Sequence, residues 1–280
     1  MTLIECIPNF STTNESTLEA LINTIKKFSN LKFLDLHRDT DHNRSVITFI
    51  GNKDVFLAAF EIIKTASELI DMSKHKGEHP RIGATDVFPF VPLKNIEEKE
   101  IIDETRKLAK KIAKELNIPI YLYEKSALKK ERENLANIRN REYLKEPDFG
   151  PIENKRTGKT VIGLRDFLIA YNINLKSSEI KIAKEISKEI RESNGGLKNV
   201  KAIGIKLDSR KTAQVSMNLT NFRVSNMSDV YKAVEKLCKK YNTEILESEL
   251  IGLTPKKALG KMTAEELKIF NWHENKILEK

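Results

Sequence analysis

The sequence predicts an α/β fold, more narrowly an α+β arrangement of two related sheets. Three observations point there. In the second half, residues 167–175, 200–207, 213–219 and 244–251 read as strands. Between them lie two helices, one with Ile182, Ile186 and Ile190 on one stripe, the other with Val230, Val234, Leu237 and Tyr241. That order is β-α-β-β-α-β, the split-βαβ pattern of ferredoxin-like domains. The first half starts with the same order and then adds a helix and a strand. Finally, Tyr171, Ile173 and Leu175, like Ala213, Val215, Met217 and Leu219, alternate with polar residues, so one sheet face is apolar and meets helices. The expectation is two ferredoxin-like split-βαβ subdomains, residues 1–165 and 166–280, with their sheets facing across a ligand cleft.

The elements of the first half follow in turn. Residues 3–8 form a strand that ends at Pro8, and Ser16 or Thr17 caps the next helix, which runs to about Phe28. Residues 31–36 and the β-branched run 45–50 are strands. Phe56, Ala59, Phe60, Ile63, Ala66 and Ile70 keep helical spacing. Residues 87–91 make a short strand interrupted by Pro89. Ile101, Leu108, Ile112 and Leu116 mark a long helix, and residues 118–123 a strand. Residues 127–143 begin as helix. The polar loop 152–159 reads as the link between the halves, and residues 263–280 as a polar helix docked by Trp272.

Composition bounds the function. Hydrophobic residues make up 40% and charged residues 32% of 280, enough for a core and a soluble surface. The net charge of +9 favours an anionic partner, either nucleic acid or a polyanionic small molecule. Cys6 and Cys238 lie far apart in apolar patterns, which fits buried free thiols rather than a disulfide framework or a metal knuckle. No apolar run is long enough to span a bilayer, and the first segment lacks a basic leader, so a cytoplasmic location without membrane attachment is expected.

Chemistry concentrates in two loops. Residues 71–86 place His75, Lys76, Glu78, His79, Arg81 and Asp86 on one short arc, with Gly77, Pro80 and Gly83 preventing a regular helix. The spacing of His75 and His79 invites a zinc reading, but that needs a continuous helix, so no metal is expected. The second loop holds His37, Arg38, Asp39, Asp41, His42, Asn43 and Arg44. In the second half, Asn172, Asn174, Gln214, Ser216 and Asn218 line the other sheet face. Short neutral amides suit a cleft that holds a polar heterocycle; a solvated face is the alternative.

Several segments resemble one family. They are Ile4-Glu5-Cys6-Ile7-Pro8-Asn9-Phe10-Ser11, Asn43-Arg44-Ser45-Val46-Ile47-Thr48-Phe49, the run from Leu69 through His75-Lys76-Gly77-Glu78-His79-Pro80-Arg81 to Val87, Pro147-Asp148-Phe149-Gly150-Pro151, and Phe167-Leu168-Ile169-Ala170-Tyr171-Asn172. They fall in the order found in glutamate formimidoyltransferases. The resemblance implies a homodimeric α/β enzyme of histidine breakdown that moves the formimino group of N-formimino-L-glutamate to tetrahydrofolate, a co-substrate. It implies that His79 is catalytic and that Gly150, Pro151, Ile152, Glu153, Asn154, Lys155, Arg156, Thr157 and Gly158 contact folate. This sequence departs from the family at Thr12 and Thr13 in the opening turn, and at Asn140 and Arg141.

The donor's amidine is a cation at neutral pH. Asp39, Asp41, Glu78 and Asp86 are candidates to hold it, with salt-bridge or turn roles as the alternative. Arg44, Arg81 and Arg165 are candidates to grip the donor's carboxylates, and Asn43, Gln214 and Asn218 complete the substrate-contacting set. Lys155, Arg156 and Lys159 offer a basic site for the folate tail. Two rivals stand beside this reading. One is formyl transfer between N-formylglutamate or glutamate and 5-formyltetrahydrofolate. The other is RNA binding by paired ferredoxin-like domains, though the strands lack the aromatic pattern of RNA-binding sheets, and no nucleic acid is expected.

Overall fold

The computed structural model describes residues 2–40, 42–76, 81–139 and 146–278. The chain divides into two compact units, residues 1–165 and 166–280. Among the described residues no helix is long and apolar enough to cross a membrane.

The first unit contains β1 (Leu3–Cys6), β2 (Asn9–Phe10), α1 (Glu15–Lys26), β3 (Leu31–Asp39), β4 (Arg44–Gly51), α2 (Val55–Leu69), β5 (Thr85–Lys94), α3 (Glu98–Leu116), β6 (Ile120–Leu122), the single turn α4 (Leu135–Ile138) and β7 (Thr160–Leu164). β1 and β2 are one path broken at Pro8; both lie between β4 and β5, antiparallel to each. With β3 on the far side of β4, this part of the sheet has the split-βαβ order. β7 and β6 extend it beyond β5, with both pairings parallel.

Alternation along the strands decides what each face carries. Ile4, Cys6, Ile47, Phe49, Phe88, Phe90, Ile120, Leu122, Ile162 and Leu164 join the main core with α1, α2 and α3. Val87, Tyr121, Tyr123 and Val161 form a smaller cluster, to which α4 adds Ile138. Cys6 and Cys238 are both buried free thiols.

Several expectations change for identifiable reasons. The helix α1 is capped by Asn14, whose side chain accepts from Thr17 N, rather than by Ser16 or Thr17. Pro89 does not interrupt β5: it faces the β1–β2 break, where its carbonyl still accepts from Ile7 N at 3.4 Å. Residues 127–143 make only short turns and α4 in their described part. The loop 152–159 is no link between halves: it precedes β7, a strand absent from the sequence reading, and stays inside the first unit. Its polar composition reflects a surface crossing. Met72 N donates to Arg156 O, Ala84 N to Thr157 O and Lys159 N to Ile82 O, each at 2.7 Å.

In the second unit, β8 (Ile169–Leu175), α5 (Ile180–Ile190), β9 (Val200–Leu207), β10 (Thr212–Leu219), α6 (Met227–Lys240) and β11 (Ile245–Ile251) give the sheet order β11–β8–β10–β9, antiparallel throughout. Tyr171, Ile173, Val215 and Met217 pack with α5 and α6. The tail is turns and a short 3₁₀ segment, not the expected helix. Its backbone instead bridges the sheet edge, Ile269 to Ser248 and Ile277 to Thr254, and the buried Lys276 ammonium donates to the carbonyls of Leu250 and Gly252. Trp272 packs against this core.

Gly83 and Gly158 form an isolated bridge where two backbones come close. Gly158 has φ of +66°, and a Cβ there would meet Ile82 O at 2.2 Å. Gly158→Ala is therefore expected to lower stability by about 1–3 kcal/mol or more and to loosen the crossing of residues 150–158 over residues 82–84. Urea unfolding measures it; an unchanged midpoint would show that the crossing relaxes freely.

Candidate functional site

The β3–β4 hairpin starts the site. Asp39 and Arg44 are its last paired residues, and Asn43 closes the turn with φ of +44°, a conformation Asn tolerates. Asp39 accepts from the His42 backbone N–H at 3.0 Å and from its ring Nδ1. Burial alone would raise the Asp39 pKa, but those hydrogen bonds and the charges of His42 and Arg44 together hold it near 2.

Asn43 ties this hairpin to the second charged loop. Its amide donates to Lys76 O at 3.0 Å and lies 3.4 Å from His75 Nδ1, while its carbonyl accepts from Thr13 Oγ1 at 3.3 Å. Burial and the nearby Arg81 charge push the His75 pKa down, toward the neutral ring.

Asp86 anchors the start of β5 and the residues just before it. It is fully buried. Its Oδ1 accepts from Ile82 N at 2.9 Å, and its Oδ2 accepts from Arg81 Nη1 at 3.0 Å and Arg139 Nη2 at 2.8 Å. Burial would raise the Asp86 pKa, but Arg139, Arg81 and the Ile82 N–H together hold it below the usual range. Burial pulls Arg81 down to about 10, with Asp86 opposing and the like charges of Arg44 and Arg139 adding to the fall. Arg139 arrives from α4, pinned by Ile138 in the Val87–Tyr121–Tyr123 cluster. The buried Arg132 steadies that segment through Asp148 at 2.6 Å and stacks over the Tyr121 ring at 5.0 Å.

The sheet continues the polar array. Tyr123 hydrogen-bonds to Arg165 and lies in the field of Arg139; burial raises its pKa. Glu5 on β1 is buried, and Arg165 is its opposing charge. Burial raises the Glu5 pKa to about 7, with Arg165 pulling it back.

The sequence candidates thus separate. Asp39, Asn43, Arg44, Arg81 and Asp86 come together. Arg165 sits with Glu5 and Tyr123 on the same sheet. Asp41, Glu78 and His79 lie outside the described residues. In the loop 150–158, the Asn154 carbonyl caps its own turn at Arg156 N and Thr157 N, and the Arg156 guanidinium donates to Glu68 O at 2.7 Å, so both build the loop; Ile152, Glu153 and Lys155 point outward. Gln214 and Asn218 belong to the second unit. The amide face there is not neutral: Gln214 Nε2 donates to Asn174 Oδ1, Asn174 to Glu247 and Asn172 to Glu249, while Asn218 is exposed. Carboxylates on that face oppose a nucleic-acid surface.

Arg139, Tyr123 and Glu5 escaped the sequence reading. Arg139 stands beside Asn140, a departure noted in the family resemblance, and that was the available signal. Glu5 was visible only as one acid in an apolar strand.

Comparison with known proteins follows the same division. The formiminotransferase domain, N-terminal subdomain, matches residues 3–165, and the formiminotransferase domain matches residues 170–277. The chain is 42% identical to a glutamate formimidoyltransferase of Streptococcus pyogenes serotype M1, over 99% of this chain and 97% of that protein. It is 41% identical to the glutamate formimidoyltransferase of Thermoplasma acidophilum, over 100% and 97%. A formimidoyltransferase-cyclodeaminase of Mus musculus is 40% identical, over 92% of this chain and 51% of that protein.

Glu5 makes a pH prediction. A carboxyl whose folded pKa is raised binds its proton more tightly in the folded state. Its contribution is fully present below the ordinary value of 4.5 and is lost as pH rises through about 7. Glu5→Gln is expected to gain stability relative to the parent across that window, by on the order of 2–3 kcal/mol. Urea unfolding at pH 4.5 and 7.5 reads the difference; a pH-independent gap would place the titration elsewhere.

Proposed function

The chain belongs to the formiminotransferase family, and from that premise we propose that it moves the formimino group of N-formimino-L-glutamate to tetrahydrofolate, releasing L-glutamate. The observation that carries this is identity above 40% along essentially the whole length of two glutamate formimidoyltransferases, with both subdomains matched.

The chemistry asks for three things. The amidine carbon is attacked by folate N5, giving a tetrahedral centre. The bond from that carbon to the glutamate nitrogen then breaks. One proton leaves N5 and one reaches the departing nitrogen, so a single imidazole can accept the first and return it to the second. His79 fills that role. The residues flanking its segment support it: Asn43 holds His75 and Lys76 before it, and Asp86 holds Arg81 and Ile82 after it. Asp39 remains ionised at working pH, as a partner for the cationic amidine must.

Folate is assigned to the loop 150–158. Its backbone is fixed on residues 72 and 82–84, and its outward side is left for a ligand. Arg156 is committed to Glu68 O, which leaves Lys155 to read the folate glutamate tail.

His79→Ala is expected to lower kcat by ~10²–10⁴-fold with folate affinity nearly intact, while His75→Ala is milder. Steady-state kinetics with formiminoglutamate, beside direct folate titration, measures both; a near-normal kcat in His79→Ala moves the proton transfer elsewhere. Lys155→Gln is expected to raise KM for polyglutamylated folate more than for the monoglutamate, an effect that salt masks. Equal changes for the two folates would remove Lys155 from tail recognition.

A further inference from the structure

We infer that Arg81 and Arg139, bracketing Asp86, form the receptor for one carboxylate of the donor. The inference rests on the formimino-transfer reading and names what that site selects. Two guanidiniums touch a single carboxylate oxygen, Asp86 Oδ2, and the other oxygen is taken by Ile82 N. Among the described residues, Asp86 answers one positive charge of the two. Asp39, the carboxylate of the adjacent hairpin, is engaged by His42.

The unanswered charge has a direction. The Arg81 side chain is 1% exposed, and its Nε and Nη2 are buried with no acceptor among the described residues. Those two atoms are the side edge of the guanidinium, the fork that takes a carboxylate through two parallel hydrogen bonds. Arg139 Nε is buried in the same state. Buried N–H groups without acceptors are costly, and a buried cation without its anion more so. An arriving carboxylate satisfies both at once. Asp86 meanwhile fixes the fork in place by holding Nη1, so little side-chain freedom is lost on binding. The donor carries two carboxylates, whereas a simple amide or amidine carries none, so this receptor separates the glutamyl donor from its neutral analogues.

The test is Arg81→Lys, which keeps the charge and removes the fork, beside Arg139→Gln, a more exposed position that folds if Arg81→Lys does not. Both are compared with the parent for turnover and for L-glutamate binding by calorimetry. KM for formiminoglutamate is expected to rise roughly 10–100-fold, with kcat falling much less and KM for tetrahydrofolate within twofold. L-Glutamate binding weakens in parallel. N-Formiminoglycine and N-formimino-4-aminobutyrate each keep a different carboxylate, and one of them is expected to be insensitive to the substitution. An unchanged KM for formiminoglutamate, an equal rise for folate, or equal sensitivity of both single-carboxylate donors overturns the receptor. A parent protein that binds L-glutamate, loses it in the variants, yet turns over no formiminoglutamate keeps the receptor and refutes formimino transfer.

Discussion

The buried carboxylate of Asp86 is the constraint on which the first unit's polar architecture depends. It holds Ile82 N, fixes Arg81, and draws in Arg139 from more than fifty residues away. Removing one partner from such a cluster typically costs about 3–5 kcal/mol, because the remaining charges stay buried. The same cost explains why the cluster has a defined geometry: every arrangement that leaves Asp86 unmatched is far higher in energy.

Around that centre, the sheet extension does what the plain split-βαβ order cannot. Adding β7 and β6 beyond β5 widens the face opposite the helices. Tyr121, Tyr123 and Arg165 come from this extension, and the segment ending in α4 packs on it. The cations then face a sheet whose neighbours are aromatic rings and aliphatic side chains rather than water. In such surroundings a charge-assisted hydrogen bond is stronger and its absence more expensive. The second unit repeats the split-βαβ order without the extension. Its corresponding face is filled by an amide and carboxylate network, Gln214–Asn174–Glu247 and Asn172–Glu249.

The loop 150–158 illustrates how backbone and side-chain roles divide. Asn154 and Arg156, which the family resemblance implies contact folate, also hold the loop itself. Gly83 and Gly158 lack side chains where two backbones nearly touch, so the loop's position is set by main-chain geometry. That leaves outward residues such as Lys155 to vary their contacts without moving the loop.

By itself the sequence determined the alternation and helical spacing, hence the two sheets, the apolar stripes that meet helices, and the strands from β1 to β11 apart from β2 and β7. It also placed Asp39, Asn43, Arg44, Arg81 and Asp86 in two charged stretches read as loops; strand pairing carries β3 on to Asp39, starts β4 at Arg44 and puts Asp86 on β5, leaving Asn43 and Arg81 between elements. Tertiary structure alone decided what those groups face. Pro89 keeps its strand because a break in the neighbouring path removes the hydrogen bond it cannot make. The tail folds as turns because sheet-edge groups at Ser248 and Thr254 offer it partners. Arg139 joins Asp86, and Glu5 loses its solvent, through contacts remote in sequence. Local periodicity reports only which face a residue is on; burial and charge pairing depend on what the rest of the chain brings to that face.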